Sequence, residues 1–396
     1  MIKYLALSIG IVLHILSYII LYNRIEPLYI FFYPLVWWSY ILIMDAIYAL
    51  KNKKFLILKH SLIFLIVISS GFWCIFELIN LRIQNWFYIN LPREINQRWI
   101  LGYLLSYGTV IPAIYVTKEI IHSLMGEIKI KNMYIKNYAV YAITVGLFMF
   151  FITLLLPEYF FGLAWVSFGL IFDGYNYKVR NRSFAKDMEK GCIDNLLASM
   201  LGGLFCGILW EFWNNWAVTK WVYTVPFFEE LKLFEMPVLG YVGFIAFGFE
   251  TIAFLNFLEG LWSVTKKMMA LTLMAFICFF TFPLIDRYTV FSYIAKIDEI
   301  DFIDKQKIET FKNKGIKTSF KIDVKSLDKY ERDMLELMHL KGLGIINLKK
   351  LRQNNIKSVE ELSTIDEETL SKIIDEQRKR RIRLFLKAAK IKKRPL

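Results

Sequence analysis

Nine stretches of the chain, at about 4–22, 27–50, 60–80, 99–116, 138–156, 159–175, 195–217, 236–257 and 268–285, are apolar over the length of a bilayer crossing. A helix needs about 20 mainly apolar residues to span, because lipid offers its backbone no hydrogen-bond partner. That feature confines residues 1–285 to an all-α, polytopic transmembrane helical bundle of about nine spans. Composition agrees: 56% of the 396 residues are apolar, against roughly 45–50% in soluble domains. The excess ends near Asp286, so residues 286–396 are expected to form a small C-terminal soluble helical domain. A secreted disulfide scaffold, a disordered chain and an ordinary soluble enzyme are excluded. The first stretch follows Lys3 and ends, from Ser17 to Tyr22, without a small-residue cleavage site, so it reads as a retained anchor.

Basic loops orient the spans, since Lys and Arg are kept on the cytoplasmic side. They follow the second stretch (Lys51, Lys53, Lys54, Lys59), the fourth (Lys118, Lys129, Lys131, Lys136), the sixth (Lys178, Arg180, Arg182, Lys186, Lys190) and the eighth (Lys266, Lys267). All four loops fall on one side, which is read as cytoplasmic, with the N-terminus, in a multi-pass protein of the cell membrane. Nine crossings then leave the C-terminal domain outside. Long domains do cross whatever their charge. A cytoplasmic tail is nevertheless expected, which requires a miscount around Leu81–Pro92 or Val222–Leu239.

The formal charge is +14, and residues 286–396 hold +9 of it, from 27 basic and 18 acidic side chains. Anionic lipid, nucleic acid and an acidic protein are the partners such a tail suits. Cys74, Cys192, Cys206 and Cys278 lie in or beside apolar stretches and form no CxxC pair, and His14, His60, His122 and His339 are never three or four residues apart. Neither a metal site nor a cofactor is expected from them.

The tail carries a self-similar pair forty residues apart, KIETFKNKGIKT at 307–318 and NLKKLRQNNIKS at 347–358. Ile308 matches Leu348, Phe311 matches Leu351, and each short helix should stop at an αL residue, Gly315 or Asn355. Leu340-Lys341-Gly342-Leu343-Gly344-Ile345 precedes the second copy, and Ser358-Val359-Glu360-Glu361-Leu362 follows it. This arrangement resembles a helix-hairpin-helix unit over about 335–390, and less closely over 295–320, where Asp301-Phe302-Ile303-Asp304 replaces the glycine turn. The resemblance implies a nucleic-acid-binding module in which hairpin amides approach phosphate, with Gly342, Gly344, Lys349, Lys350 and Arg352 as contacts. Such helical pairs also dock proteins. The closing run Arg378-Lys379-Arg380-Arg381-Ile382-Arg383, with Lys387 to Arg394, suits phosphates or anionic lipid alike.

The most unusual membrane segment is 208–257. Trp210, Trp213, Trp216, Trp221 and Tyr223 read as an interfacial aromatic belt, which leaves Glu211, Asn214 and Asn215 unexplained, on one helical face at i, i+3 and i, i+4. Glu250 lies two-thirds along its span and should face protein or a cavity, since a carboxylate at bilayer depth costs about 2.5 kcal/mol or more. Asp45, Glu77 with Asn80, and Asp173 with Asn176 sit near other span ends. Pro226 to Pro237, with Glu229, Glu230 and Glu235, is too short and charged to span and reads as an amphipathic interfacial helix or a re-entrant lid.

Three functions compete. In the first, a pocket at 208–257 binds or acts on an apolar or amphiphilic, lipid- or isoprenoid-like molecule, with Glu211 and Glu250 as general acid or base. Trp213, Asn214, Asn215, Lys220, Trp221, Tyr223 and Glu235 would bind the substrate, the rings stabilising cationic character. Pro226-Phe227-Phe228-Glu229-Glu230 resembles, over about five residues, the proline–acidic stretch of membrane-embedded lycopene cyclases. In the second, the same carboxylates serve a transporter or channel, though no inverted repeat or filter-like loop is visible. In the third, the bundle anchors a scaffold whose tail binds nucleic acid or protein. The combination of "WEFWN", "FEMP" and the hairpin tail is similar to uncharacterised bacterial and archaeal membrane proteins.

Overall fold

A computed structural model of the chain describes residues 1–227, 231–261 and 263–393. It is an all-α polytopic bundle followed by a group of short helices. The bundle comprises α1 (Ile2–Tyr22), α2 (Phe32–Asn52), α3 (Leu62–Ile83), α4 (Val110–Met125), α5 (Tyr138–Leu155), α6 (Ala164–Lys178), α7 (Asp194–Trp216), α8 (Tyr241–Glu259) and α9 (Val264–Tyr288). Eight helical segments among the described residues are long and apolar enough to cross a membrane, α4 counting together with the π-helical Gln97–Leu104 before it.

The expected sixth span is the exception. Pro157 opens a four-residue helix, a 3-10 turn follows, and α6 keeps 15 residues, or about 22 Å at 1.5 Å per residue. That is short of the roughly 30 Å hydrocarbon core. It nonetheless runs the bundle from end to end, packed between α5 and α8.

The connections gather at two ends. At one, Lys51 Nζ donates to Ser123 O (2.8 Å), Ile130 N to Gly191 O (2.8 Å), and Arg182 lies 3.9 Å from Glu259. The four basic loops therefore lie together, with the N-terminus. At the other end β1 (Trp86–Ile89) pairs antiparallel with β2 (Lys220–Tyr223), Trp86 opposite Tyr223. Tyr88 there bridges Val290, Tyr29 Oη meets Thr318 Oγ1 at 2.6 Å, and Arg380 lies 3.6 Å from Glu158. Residues after α9 cap this second end. Leu81–Pro92 and Val222–Leu239, the segments suspected of a miscount, both stay at the capped end and neither crosses. The expected helix or re-entrant lid at Pro226–Pro237 is instead, over its described residues, a tight hairpin in which Lys232–Leu233 pairs with Met236–Pro237, and Phe234 takes φ 59°. Two short strands suffice there because Pro237 and the charges leave no apolar helical face. Phe228, Glu229, Glu230 and Arg394 lie outside the described residues.

Polar residues near the span ends tie down loops. Asp45 accepts from Leu56 N (2.6 Å) and Leu58 N (2.8 Å), and Asp173 from Phe184 N (2.8 Å) and Tyr138 Oη (2.7 Å). Asn80 accepts from Asn85 N (2.9 Å) and donates to Trp86 O (2.8 Å), fixing the turn into β1.

The C-terminal helices are α10 (Lys305–Asn313), α11 (Lys329–His339), α12 (Gly344–Gln353), α13 (Val359–Ser363), α14 (Glu367–Ile374) and α15 (Lys379–Lys393). α10 and α12 are the self-similar pair. Ile308, Phe311, Leu348 and Leu351 are buried, and Gly315 (φ 72°) and Asn355 (φ 60°) occupy the αL positions that end each helix. Their core also takes in Phe87, Ile89 and Val222 from the two strands, so the capping group and the bundle share one hydrophobic contact.

Candidate functional site

Beneath the β1–β2 pair the capped end encloses a cavity of about 410 Å³. Its walls are mainly rings: Trp73 from α3, Trp86 and Tyr88 from β1, Tyr103 and Tyr107 before α4, Trp165 from α6, Trp210 from α7, and Trp221 and Tyr223 from β2. The rings interlock, with Phe76 flat against Trp165 (5.2 Å, 6°) and Tyr103 against Tyr107 (5.7 Å, 12°). The π-helical Gln97–Leu104 contributes to that last stack, widening the turn that carries Gly102 and Tyr103 to the wall. Gly162, Phe227, Leu239 and Val242 line the cavity and are also exposed. They form an apolar mouth between the start of α6 and the start of α8.

Two carboxylates stand behind this wall. Glu77 Oε1 accepts from Trp73 Nε1 (2.8 Å), Trp86 Nε1 (3.0 Å) and Tyr88 Oη (2.6 Å), and Tyr88 Oη accepts in turn from Tyr107 (3.0 Å). Glu211 Oε1 accepts from Tyr223 Oη at 2.7 Å. Both side chains are fully buried, and the second oxygen of each has no partner among the described residues. Sequence reasoning placed Glu77 only at a span end. The aromatic run Trp86-Phe87-Tyr88 just after it was the available signal.

Of the expected binding residues, Lys220, Trp221 and Tyr223 line the cavity. Trp213 does not: it donates to Tyr18 Oη (2.8 Å) and packs edge-on against Trp37 at 4.7 Å. Trp210 and Trp213 are buried inside the bundle rather than in an interfacial belt, while Trp216 is 56% exposed. Asn214 holds β2, donating to Trp221 O and accepting from Trp221 N, both at 3.0 Å. Asn215 offers its carbonyl to Lys220 Nζ (3.2 Å). Glu235 is buried in an ion pair with Lys341 of the tail (2.5 Å), with Lys220 at 3.6 Å. Burial opposes ionisation of Glu235, but Lys341 and then Lys220 outweigh it and hold the carboxyl below its ordinary range. Burial pulls the Lys220 ammonium down, against the opposing pull of Glu235.

Glu250 is not part of this wall and does not meet Glu211 in one cavity. It sits where α6 crosses α8, and its Oε1 accepts from Phe168 N (2.9 Å) in the opening turns of α6. Gly169 permits the approach, since a Cβ there would stand 3.1 Å from Glu250 Cα. The contact sets the carboxylate against the backbone of the neighbouring helix at a close crossing, in place of the water that lipid does not supply.

The glycine hairpin of the tail also departs from expectation. Gly342 (φ 75°) and Gly344 (φ 74°) face the bundle: a Cβ on Gly342 would lie 2.3 Å from Ile89 Cγ2, and one on Gly344 2.8 Å from Ser292 Cβ. Both glycines are buried in this contact. Lys350 donates to Ile374 O (2.7 Å) and Arg352 pairs with Asp301 (2.5 Å), which leaves Lys349 exposed. The closing basic run is similarly engaged. Arg378 donates to Tyr288 O (2.8 Å) and Arg380 to Ile83 O (3.1 Å), capping α9 and α3, while Arg381 pairs with Glu376 (2.6 Å). Burial raises Glu376, but Arg378 and Arg381 outweigh it and bring it down to about 2.

Among the described residues no three His, Cys, Asp or Glu side chains gather as metal ligands would. In comparisons with protein-family models, curated proteins and solved structures, nothing matches this chain.

Proposed function

We propose that this membrane protein binds the apolar part of a lipid-like or isoprenoid-like molecule in the aromatic cavity, admitting it sideways from the bilayer. The observation that carries this reading is the mouth: the exposed lining residues Gly162, Phe227, Leu239 and Val242 are all apolar. A ring-walled cavity of about 410 Å³ that opens at this mouth is the size and character of small-molecule sites. Glu77 and Glu211 act through the rings they hold rather than on the ligand. On this reading the basic end is cytoplasmic and the tail caps the opposite face. A transporter or channel is disfavoured by the wall, whose polar groups are few and mostly satisfied internally.

The test is mass spectrometry of molecules retained by the purified full-length protein, wild type against Ala246→Phe, which narrows the cavity from α8. A specific retained amphiphile, reduced in the variant, supports the proposal. The same unselective lipid mixture on both proteins overturns it.

A further inference from the structure

Alternation along β2 sets Lys220 on the side of Val222, which packs into the core of the capping group, and leaves Trp221 and Tyr223 to the cavity. Apart from Lys220, no charged residue among the described ones lines that cavity, so its character is set by rings. Trp73, Trp86 and Trp165 come from α3, β1 and α6, yet all three line it. Their centroids lie 6.0 Å (Trp73 to Trp86), 6.4 Å (Trp73 to Trp165) and 6.0 Å (Trp86 to Trp165) apart. One group seated among them can therefore meet all three within the about 6 Å over which a cation is drawn to an aromatic ring. The polar edges of two of these indoles are engaged: Trp73 Nε1 and Trp86 Nε1 donate to Glu77 Oε1 at 2.8 and 3.0 Å, as does Tyr88 Oη at 2.6 Å. What those rings have left for a ligand is their π-surface. A ring that donates to a carboxylate is polarised toward a more negative face. Glu77, whose second oxygen has no partner among the described residues, forms no ion pair there that would cancel the effect. Glu77 Oε1 already takes three donors, so an ammonium bearing N–H groups would leave them unmatched among these rings, whereas a fully alkylated one has none to match.

We propose that the ligand is an amphiphile with a quaternary ammonium head, seated among Trp73, Trp86 and Trp165, while its apolar body fills the rest of the ring-walled cavity. This rests on the reading of the cavity as a lipid-type site. Glu77 is here a positioning residue, which holds the rings by their edges and does not touch the head.

The test uses the full-length protein in uncharged maltoside micelles free of choline lipid. Two probes share one apolar body: the choline ester of dibromostearic acid, and the uncharged ester in which a carbon replaces the ammonium nitrogen. Bromine quenches the wall tryptophans. Wild type should be half-quenched by the choline ester at a concentration lower by roughly tenfold or more than its carbon isostere requires. The net charge of +14 repels a cation, so bulk attraction does not produce that preference. Trp165→Leu removes one ring face, and Glu77→Gln keeps an acceptor for the rings but removes the carboxylate. Each should bring the ratio of the two concentrations several-fold closer to one. Equal quenching of wild type by both probes overturns the head assignment but leaves the cavity reading standing. Quenching by neither overturns both. A preference for the choline ester that survives undiminished in both variants overturns its seat among these rings.

Discussion

Replacing Gly342 by alanine should loosen the capping group from the bundle, and the size of the effect can be worked from two separate causes. Gly342 has φ 75°, and a Cβ there would stand 2.3 Å from Cγ2 and 2.5 Å from Cβ of Ile89. Left-handed backbone costs a non-glycine residue roughly 1–2 kcal/mol. Forcing a methyl into a packed contact costs about 1–3 kcal/mol more, and Ile89 is buried in β1 with little room to yield. Gly315 is the control: its φ is 72°, but nothing lies within 4 Å of the added Cβ. Gly315→Ala therefore carries the backbone cost alone. The difference between the variants, about 1–3 kcal/mol, is the docking contact. Limited proteolysis of the segment between Tyr288 and Lys305 reads the undocked population when opening is fast relative to cleavage. Gly342→Ala should be cut about 5- to 150-fold faster than Gly315→Ala, at about 1.4 kcal/mol per tenfold. Equal rates would refute the docking of the hairpin on β1 and return the glycines to an exposed, ligand-facing role.

Glu77→Ala strands three buried donors, from Trp73, Trp86 and Tyr88, at about 1–3 kcal/mol each. Thermal unfolding in detergent should fall sharply for it and far less for Glu77→Gln, which keeps an acceptor. His339 is half-buried, hydrogen-bonded to Ser319 (2.9 Å) and stacked on Phe320 (3.9 Å). Burial, reinforced by Arg24 and Lys392, pushes it down to about 3. The unfolded chain takes up a proton below about 6.5 while the folded tail resists. Tail stability should thus decline as pH falls from 6.5 toward 3, by no more than about 1.4 kcal/mol per unit. His339→Gln should flatten that slope in a proteolysis series against pH. Sidedness is tested with single cysteines at exposed Lys131 and Lys372 in a Cys192→Ser background. An impermeant maleimide on intact cells should label Lys372→Cys and spare Lys131→Cys, and equal labelling would sink the assignment of the tail to the far face.

The bundle was legible because lipid imposes one rule on every span, and runs such as Leu62–Ile83 satisfy it without reference to any neighbour. The short α6 was not, because Pro157 and Gly162 break a stretch whose mean apolarity still passes for a span. The cavity was only half visible. Lys220, Trp221 and Tyr223 stood out in a dense local run, whereas Trp73, Trp86 and Trp165 reach the same wall from distant segments and carry no local mark. The glycine hairpin misled for a physical reason. Gly-x-Gly advertises a backbone that something approaches closely, and the sequence does not say whether that is a phosphate or, as here, Ile89 and Ser292.

The membrane carboxylates answer their desolvation in a common way. Glu77 gathers three ring donors, Glu211 one phenol, and Glu250 a backbone amide at the start of α6. Among the described residues none forms an ion pair with a cation, so each has exchanged water for fixed dipoles of the protein, and one oxygen of each has no partner there. For Glu250 that exchange joins two helices at a close crossing. For Glu77 and Glu211 it orients the phenols and indoles that wall the cavity. A ring bound at its polar edge has few ways to turn, so a wall built from such rings keeps its shape when empty, and a ligand entering it pays little to order it. Glu211→Gln should accordingly preserve binding, because the amide oxygen can still accept from Tyr223. Glu211→Leu should weaken binding by freeing that ring, although neither variant changes a residue the ligand touches. Loss of binding in both variants alike would instead place the carboxylate's charge in the chemistry of the site.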